Sequence, residues 1–275
     1  MFVSADDKER NWEDYTFILP CVSVGNVGQL TADLVISTLW MERVGFVYHE
    51  SILPMVGNNP FAHHDANICK LTTSCEVYES QSNKLVVLQQ RSPFVKGKKK
   101  KFMSWLAEWT RLQRFHQVVI LTSSYAEERL DVQLQGSQFR FIPSESMDRK
   151  CGDLFRTKLG WQELERRATP TELAIDGSLE PTVLYMPGSG IAKQLFENLK
   201  TDTSVVVMMM FCSEGDNAHD AVAMVTQLNN WLGIVSLKAA PGSEVGKEAT
   251  GPTEWKVPVS WRLVFGTRAD RTLFH

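Results

Sequence analysis

Residues 16–29 read TFILPCVSVGNVGQ, and their reading decides the fold. An apolar run, Phe17-Ile18-Leu19-Pro20-Cys21-Val22, leads into a turn holding Gly25 and Gly28. A run with helical spacing then continues from Leu30 to Leu39. Strand, glycine turn and helix in that order is the repeating unit of α/β folds, and in many of them the turn cradles a phosphate. The stretch therefore predicts an α/β class and poses a question: does the turn hold a ligand or only bend the chain?

The spacing argues against a nucleotide. Gly25 and Gly28 give G-x-x-G, without the third glycine of a dinucleotide loop, and no G-K-[ST] follows as in a P-loop. A second strand–glycine–helix passage, MPGSGIAKQLFENL at 186–199, repeats the pattern with Gly188 and Gly190. Two such turns are expected wherever strands feed helices through short connections, and a backbone turn at positive φ accounts for both.

Working outward, short apolar runs rich in β-branched residues read as strands: VGFVYH (44–49), KLVVLQQR (84–91), QVVILTSS (117–124), TVLYMP (182–187) and SVVVMMMF (204–211). Most are continuous rather than alternating, the pattern of strands covered on both faces. Between them lie helical patterns. GQLTADLVISTLW (28–40) repeats apolar residues through Leu34 and Leu39. FMSWLAEWTRLQRF (102–115) does so at Phe102, Trp105, Leu106, Trp109 and Leu112. SGIAKQLFENLK (189–200) and NAHDAVAMVTQLNNWLG (217–233) complete the set, the last with Gly233 as a C-cap. Between 130 and 165 a candidate strand, QFRFIP, precedes a helix-like DLFRTKLGWQELERR. The alternation predicts a single-domain αβα sandwich spanning residues 1–275, around a largely parallel or mixed sheet. Residues 239–253, AAPGSEVGKEATGPT, read as a flexible loop before a C-terminal tail.

Composition narrows the function. The chain has 275 residues, 43% apolar and 22% charged, as in a globular soluble protein. Its 29 basic and 32 acidic residues leave a net charge of −3, no basis for a nucleic acid partner. No apolar stretch reaches the roughly 18 residues of a membrane span, and the acidic N-terminus lacks the order of a signal peptide, so the cytosol or nucleus is expected. The five cysteines form no C-x-x-C pair. Cys69 and Cys75 are close enough in sequence for a disulfide or metal pair, although reduced thiols are the ordinary state in that compartment.

Candidate chemistry is sparse. FCSEGDNAHDA (211–221) places Glu214, Asp216, His219 and Asp220 after a strand, where either a catalytic cluster or a helix start with Asp216 or Asn217 as cap would fit; the cap is favoured. His63, His64 and Asp65 read as a polar surface loop, because adjacent histidines on an extended chain point opposite ways. The run KGKKKK, Lys96 to Lys101, reads as the solvated start of the Trp105–Trp109 helix. Its leading lysines are expected outside the helix, because cations oppose the dipole there. A nuclear adaptor using this run is a weaker reading. The C-terminus ends on Leu273-Phe274-His275 and a free carboxylate, the makings of a docking peptide over 266–275.

Five blocks in order are more specific than any motif above: PCVSVGNVGQLTADLVISTL (20–39), LPMVGNNPFA (53–62), SEGDNAHDA (213–221), LNNWL (228–232) and WKVPVSWRLVFG (255–266). Together they resemble the proteasome assembly chaperone family. The resemblance implies a non-catalytic protein without cofactor or metal, of nucleoside-phosphorylase-like architecture lacking that fold's active site. It implies a heterodimer with proteasome assembly chaperone 1, in the cytoplasm and nucleus. That pair binds α-type subunits of the 20S proteasome, promotes α-ring formation and prevents α-ring dimerisation. Related chaperones insert a C-terminal hydrophobic–tyrosine–any tripeptide between neighbouring α subunits. The matching positions are Leu273, Phe274 and His275, with phenylalanine in place of the tyrosine. The competing expectation is a phosphorylase-like enzyme acting on a nucleoside or phosphate ester.

Overall fold

A computed structural model describes residues 1–61, 70–168, 182–236 and 254–263. In chain order the strands are β1 (Phe2–Ser4), β2 (Thr16–Pro20), β3 (Glu42–Val47), β4 (Val56–Asn58), β5 (Leu71–Thr73), β6 (Cys75–Ser80), β7 (Leu85–Gln90), β8 (Gln117–Tyr125), β9 (Phe139–Pro143), β10 (Arg167–Ala168), β11 (Thr182–Val183) and β12 (Val205–Cys212). The helices are α1 (Val27–Leu39), α2 (Lys99–Gln113), α3 (Glu145–Asp153), α4 (Ala192–Leu199) and α5 (Ala218–Leu232). Eight strands form one sheet in the order β1-β3-β6-β7-β2-β8-β12-β9. Its centre, β7-β2-β8-β12, is parallel, and antiparallel strands flank it on both sides. The sheet is therefore mixed, as the sequence predicts.

The continuous apolar runs divide between two layers because successive side chains leave a strand on opposite faces. From β2, Phe17 and Leu19 join Phe102, Leu106 and Trp109 of α2 and Leu195 of α4. Ile18, between them, joins Leu34 and Val35 of α1 and Met224 and Leu228 of α5. The same alternation along β12 sends Val205, Val207 and Met209 one way and Val206, Met208 and Met210 the other. Each such fully buried apolar side chain contributes about 1.5–3 kcal/mol, which is why the middles of the central strands are mostly apolar.

Four details depart from the sequence reading. TVLYMP contributes only the two-residue β11, paired with β10 outside the main sheet, although Leu184 and Met186 are buried in the core. The helix expected over 153–167 lies upstream: α3 starts at Glu145, capped by the Ser144 hydroxyl accepting from Met147 N, and runs through a π-turn that ends at Lys158. Leu112 of α2 is exposed, so the buried face closes at Thr110. Sequence reasoning missed β6, whose fully buried CEVYES is masked by polar residues. Glu76 there accepts from Thr72 and Tyr78 hydroxyls and from Arg43, and Glu79 accepts from Trp12 Nε1 at 2.9 Å. Buried carboxylates are tolerated only when so paired. The loop of 239–253 and the tail of 266–275 lie outside the described residues.

Candidate protein-binding site

In open α/β sheets, ligands bind outside the carboxyl ends of the strands, where successive crossovers diverge to opposite faces. Here that point is the end of β2. Helix α1 leaves it on one face, while α2, linking β7 to β8, lies on the other. The turn between β2 and α1 takes left-handed backbone at Gly25 (φ 63°) and Asn26 (φ 53°). What occupies the crevice is the chain itself. A Cβ on Gly25 would lie 2.4 Å from Asn217 Nδ2 and 3.1 Å from Cys212 Sγ, and one on Gly190 would lie 2.1 Å from the Val22 carbonyl oxygen. The glycines are needed for close approach of protein to protein.

Hydroxyls on β8 close the remaining gaps. Thr122 donates to Ser189 O at 3.1 Å and Ser124 to Pro187 O at 2.7 Å, both in the second glycine turn. Ser123 donates to Val24 O in the first turn and lies 2.7 Å from Ser23 Oγ. Val24 N donates to Gly188 O at 3.0 Å, joining the two turns directly. Burial pushes the Cys21 thiol up to about 12 and the Cys212 thiol up to about 11, so neither is a thiolate nucleophile at physiological pH.

The acidic stretch after β12 forms the start of α5. Asn217 holds the cap position without a side-chain bond to the helix and donates to Gly215 O, while Asp216 accepts from Ala218 N. Among the described residues no three His, Cys, Asp or Glu side chains gather as a metal site. Cys75 is buried and free. Cys69, His63, His64 and Asp65 lie outside the described residues, as do Leu273, Phe274 and His275.

Three separated sequence blocks meet at the C-terminal end of α1. Residues 254–263 run back across this helix end. Lys256 N donates to Thr38 Oγ1 at 2.9 Å, and its ammonium sits 4.6 Å from the Trp40 ring centroid. Ser260 N donates to Pro60 O at 3.2 Å, tying the segment to the VGNNP loop. Trp255, Trp261 and Phe61 pack against the α1–α5 layer. This strap carries the chain toward its C-terminal tail.

The open surface lies at the β1 end of the sheet. β1 pairs only with β3, so its outer backbone edge is unpaired among the described strands. Past β3, Tyr48 is 74% exposed, and Val56 of β4 is 66% exposed. Leu53, Met55 and Leu71 are exposed beside them. Tyr48, Pro54 and Met55 line one cavity of about 490 Å³ with Ile52 and Val95 beneath. β4 and β5 form a separate two-stranded ribbon whose Asn58 and Leu71 pair directly. Exposed apolar side chains grouped in this way make a candidate protein interface. Sequence reading took Tyr48 as the end of a strand and missed the surface. The available signal was Pro54 inside the apolar run 52–56, since a proline there excludes a central strand.

A sequence profile of the PAC2 family matches residues 17–234. Curated relatives named proteasome assembly chaperone 2 are 39% identical in Danio rerio and 38% in Homo sapiens, each over 275 residues and the full length of both chains. One from Nematostella vectensis is 39% identical over 241 residues, 86% of this chain and 97% of its own. Among solved structures, Pyrococcus furiosus PbaA, described as an archaeal homolog of proteasome-assembly chaperone, superposes with a TM-score of 0.58 at 16% identity over 85% of each chain. P. furiosus PbaB, described as an archaeal proteasome activator, gives 0.55 at 12% identity over 85% of this chain and 88% of its own. With a profile match from Phe17 in β2 to Ile234 just past α5, and full-length relatives at this identity, the chain belongs to the PAC2 family.

Proposed function

We propose that this chain is an assembly chaperone of the 20S proteasome that works by binding rather than by catalysis. The observation that carries the reading is full-length similarity to relatives named proteasome assembly chaperone 2. The geometry supports it: the position where this architecture would hold a small ligand is filled by its own turns, while an apolar surface stands open elsewhere.

In this reading the chain pairs with proteasome assembly chaperone 1 and together they hold α-type subunits, promote the α-ring and keep two rings from pairing. Two kinds of contact are then required. A lasting subunit partner needs a broad apolar face, and the Tyr48–Met55–Val56 surface beside β1 supplies one. A pocket between α subunits needs only a peptide, and Leu273-Phe274-His275 with its carboxylate supplies that. The strap of 254–263 anchors the base of this tail to α1. Phe274 lacks the tyrosine hydroxyl, which removes a hydrogen bond of about 1 kcal/mol and leaves ring and carboxylate contacts. Residence in cytoplasm and nucleus follows from the same role.

Size-exclusion chromatography with light scattering tests this. The chain is run alone, with chaperone 1, and with chaperone 1 and α subunits. A one-to-one pair that shifts again on adding α subunits is expected, and deletion of residues 273–275 should abolish only the second shift. A chain indifferent to both partners would contradict the role.

A further inference from the structure

The lysine run has no part in the surfaces above, and the structure divides it. Lys98 and Lys101 both pair with Glu50. Lys99 Nζ turns the other way and donates to Gly190 O at 2.9 Å. Lys99 and Lys100, at the start of α2, and Lys193, at the start of α4, line one groove of about 480 Å³ with Gly97, Met186 and Gln194. No carboxylate lines this groove among the described residues, and neither Lys100 nor Lys193 makes an ion pair there.

The helices add to the same field. α2 has Lys98 at its cap position, no side-chain cap and no acidic residue in its first turn, and α4 likewise has neither cap bond nor acid. The positive dipole ends of both helices therefore lie where ammonium groups already crowd. Each lysine opposes the dipole of its own helix, a standing cost to stability that an anion in the groove would reverse.

We propose that this groove docks an acidic segment of a protein partner, its carboxylates meeting Lys99, Lys100 and Lys193 while Met186 and the lysine stems cover its backbone. A protein segment suits the groove better than a polyanion. The lining has no arginine fork for phosphate and no aromatic face for a base. The groove spans only two helix starts, and the chain's net charge of −3 gives no long-range field toward nucleic acid or membrane. The inference stands apart from the proteasome reading.

The test is fluorescence anisotropy of a labelled octaglutamate peptide with the full chain. Binding should weaken steeply between about 50 and about 200 mM salt. Lys100→Glu/Lys193→Glu should weaken it about tenfold or more, and the arginine pair at the same positions should retain it. Lys8→Glu/Lys158→Glu changes net charge equally at remote sites and should leave binding near wild type. The groove variant should melt at or above the wild-type temperature, because carboxylates then face two helix starts. Equal loss in the remote variant would reduce the effect to net charge and overturn the proposal. Unchanged binding in the groove variant would also overturn it, as would tighter binding of an oligothymidine or of phosphatidylserine vesicles than of the peptide.

Discussion

The carboxyl end of the parallel strands and the β1 edge of the same sheet are built by opposite rules. At the first, two glycine turns press against their neighbours so closely that a single methyl group has no room, and the hydroxyls of Thr122, Ser123 and Ser124 on β8 each find a carbonyl. At the second, tyrosine, methionine and valine stand in solvent beside a strand whose outer edge no described strand pairs. An architecture that elsewhere places ligands at strand ends has here closed that place and left apolar area at the periphery. The difference teaches where to look for function: in the surface that costs the isolated chain solvation, not in the motif that looks like a phosphate loop.

The largest effect that could break this contrast is in the crevice. Gly190→Val places a branched side chain at φ 67° against the Val22 carbonyl, and should lower the unfolding free energy by about 3 kcal/mol or more in urea titration. A loss below about 1 kcal/mol would mean that the crevice yields easily and is open to ligands. At the edge, Tyr48→Ala with Met55→Ala should behave in reverse. Stability should stay within about 0.5 kcal/mol, while affinity for chaperone 1, read by calorimetry, should fall by about 2 kcal/mol, roughly thirtyfold. Smaller again, Phe274→Tyr should restore a hydroxyl contact and tighten α-ring binding by about 1 kcal/mol, roughly fivefold. No change would remove Phe274 from the contact.

The smallest effect concerns acid. Hydrogen bonding to Arg10 holds the Asp6 carboxyl down at about 2, and Arg10 also reaches Glu79 at 3.3 Å under the β1 edge. A carboxyl lower in the folded state stabilises above its unfolded pKa, and the contribution is lost as pH falls from about 4 to about 2. The crevice is held mainly by hydroxyls, amides and backbone. Amide exchange should therefore rise first at residues 1–12 as pH drops through that window, and Asp6→Asn should flatten the dependence.

Much of this was legible in the residues. Continuous apolar strands named a sheet covered on both faces, and Gly233 ended α5 as expected, at φ 63°. The leading lysines, Lys96 and Lys98, stand before α2 as expected, while Lys99, Lys100 and Lys101 lie in its first turn against the dipole. What stayed hidden was non-local. β6 reads as polar because Glu76 and Glu79 find partners from distant segments. The glycine turn's role depends on Asn217, at the far side of the sequence from Gly25. The apolar surface appears only when Tyr48 and Met55 prove to line one cavity that no described element covers.

The central claim is that binding happens at the edge and not in the crevice, and amide hydrogen exchange on the chain alone and paired with chaperone 1 tests it most directly. The account predicts protection across residues 46–58 and 71–73 and at β1, with residues 21–28 and 187–191 unchanged. Protection confined to the two glycine turns, with the edge still exchanging freely, would contradict it.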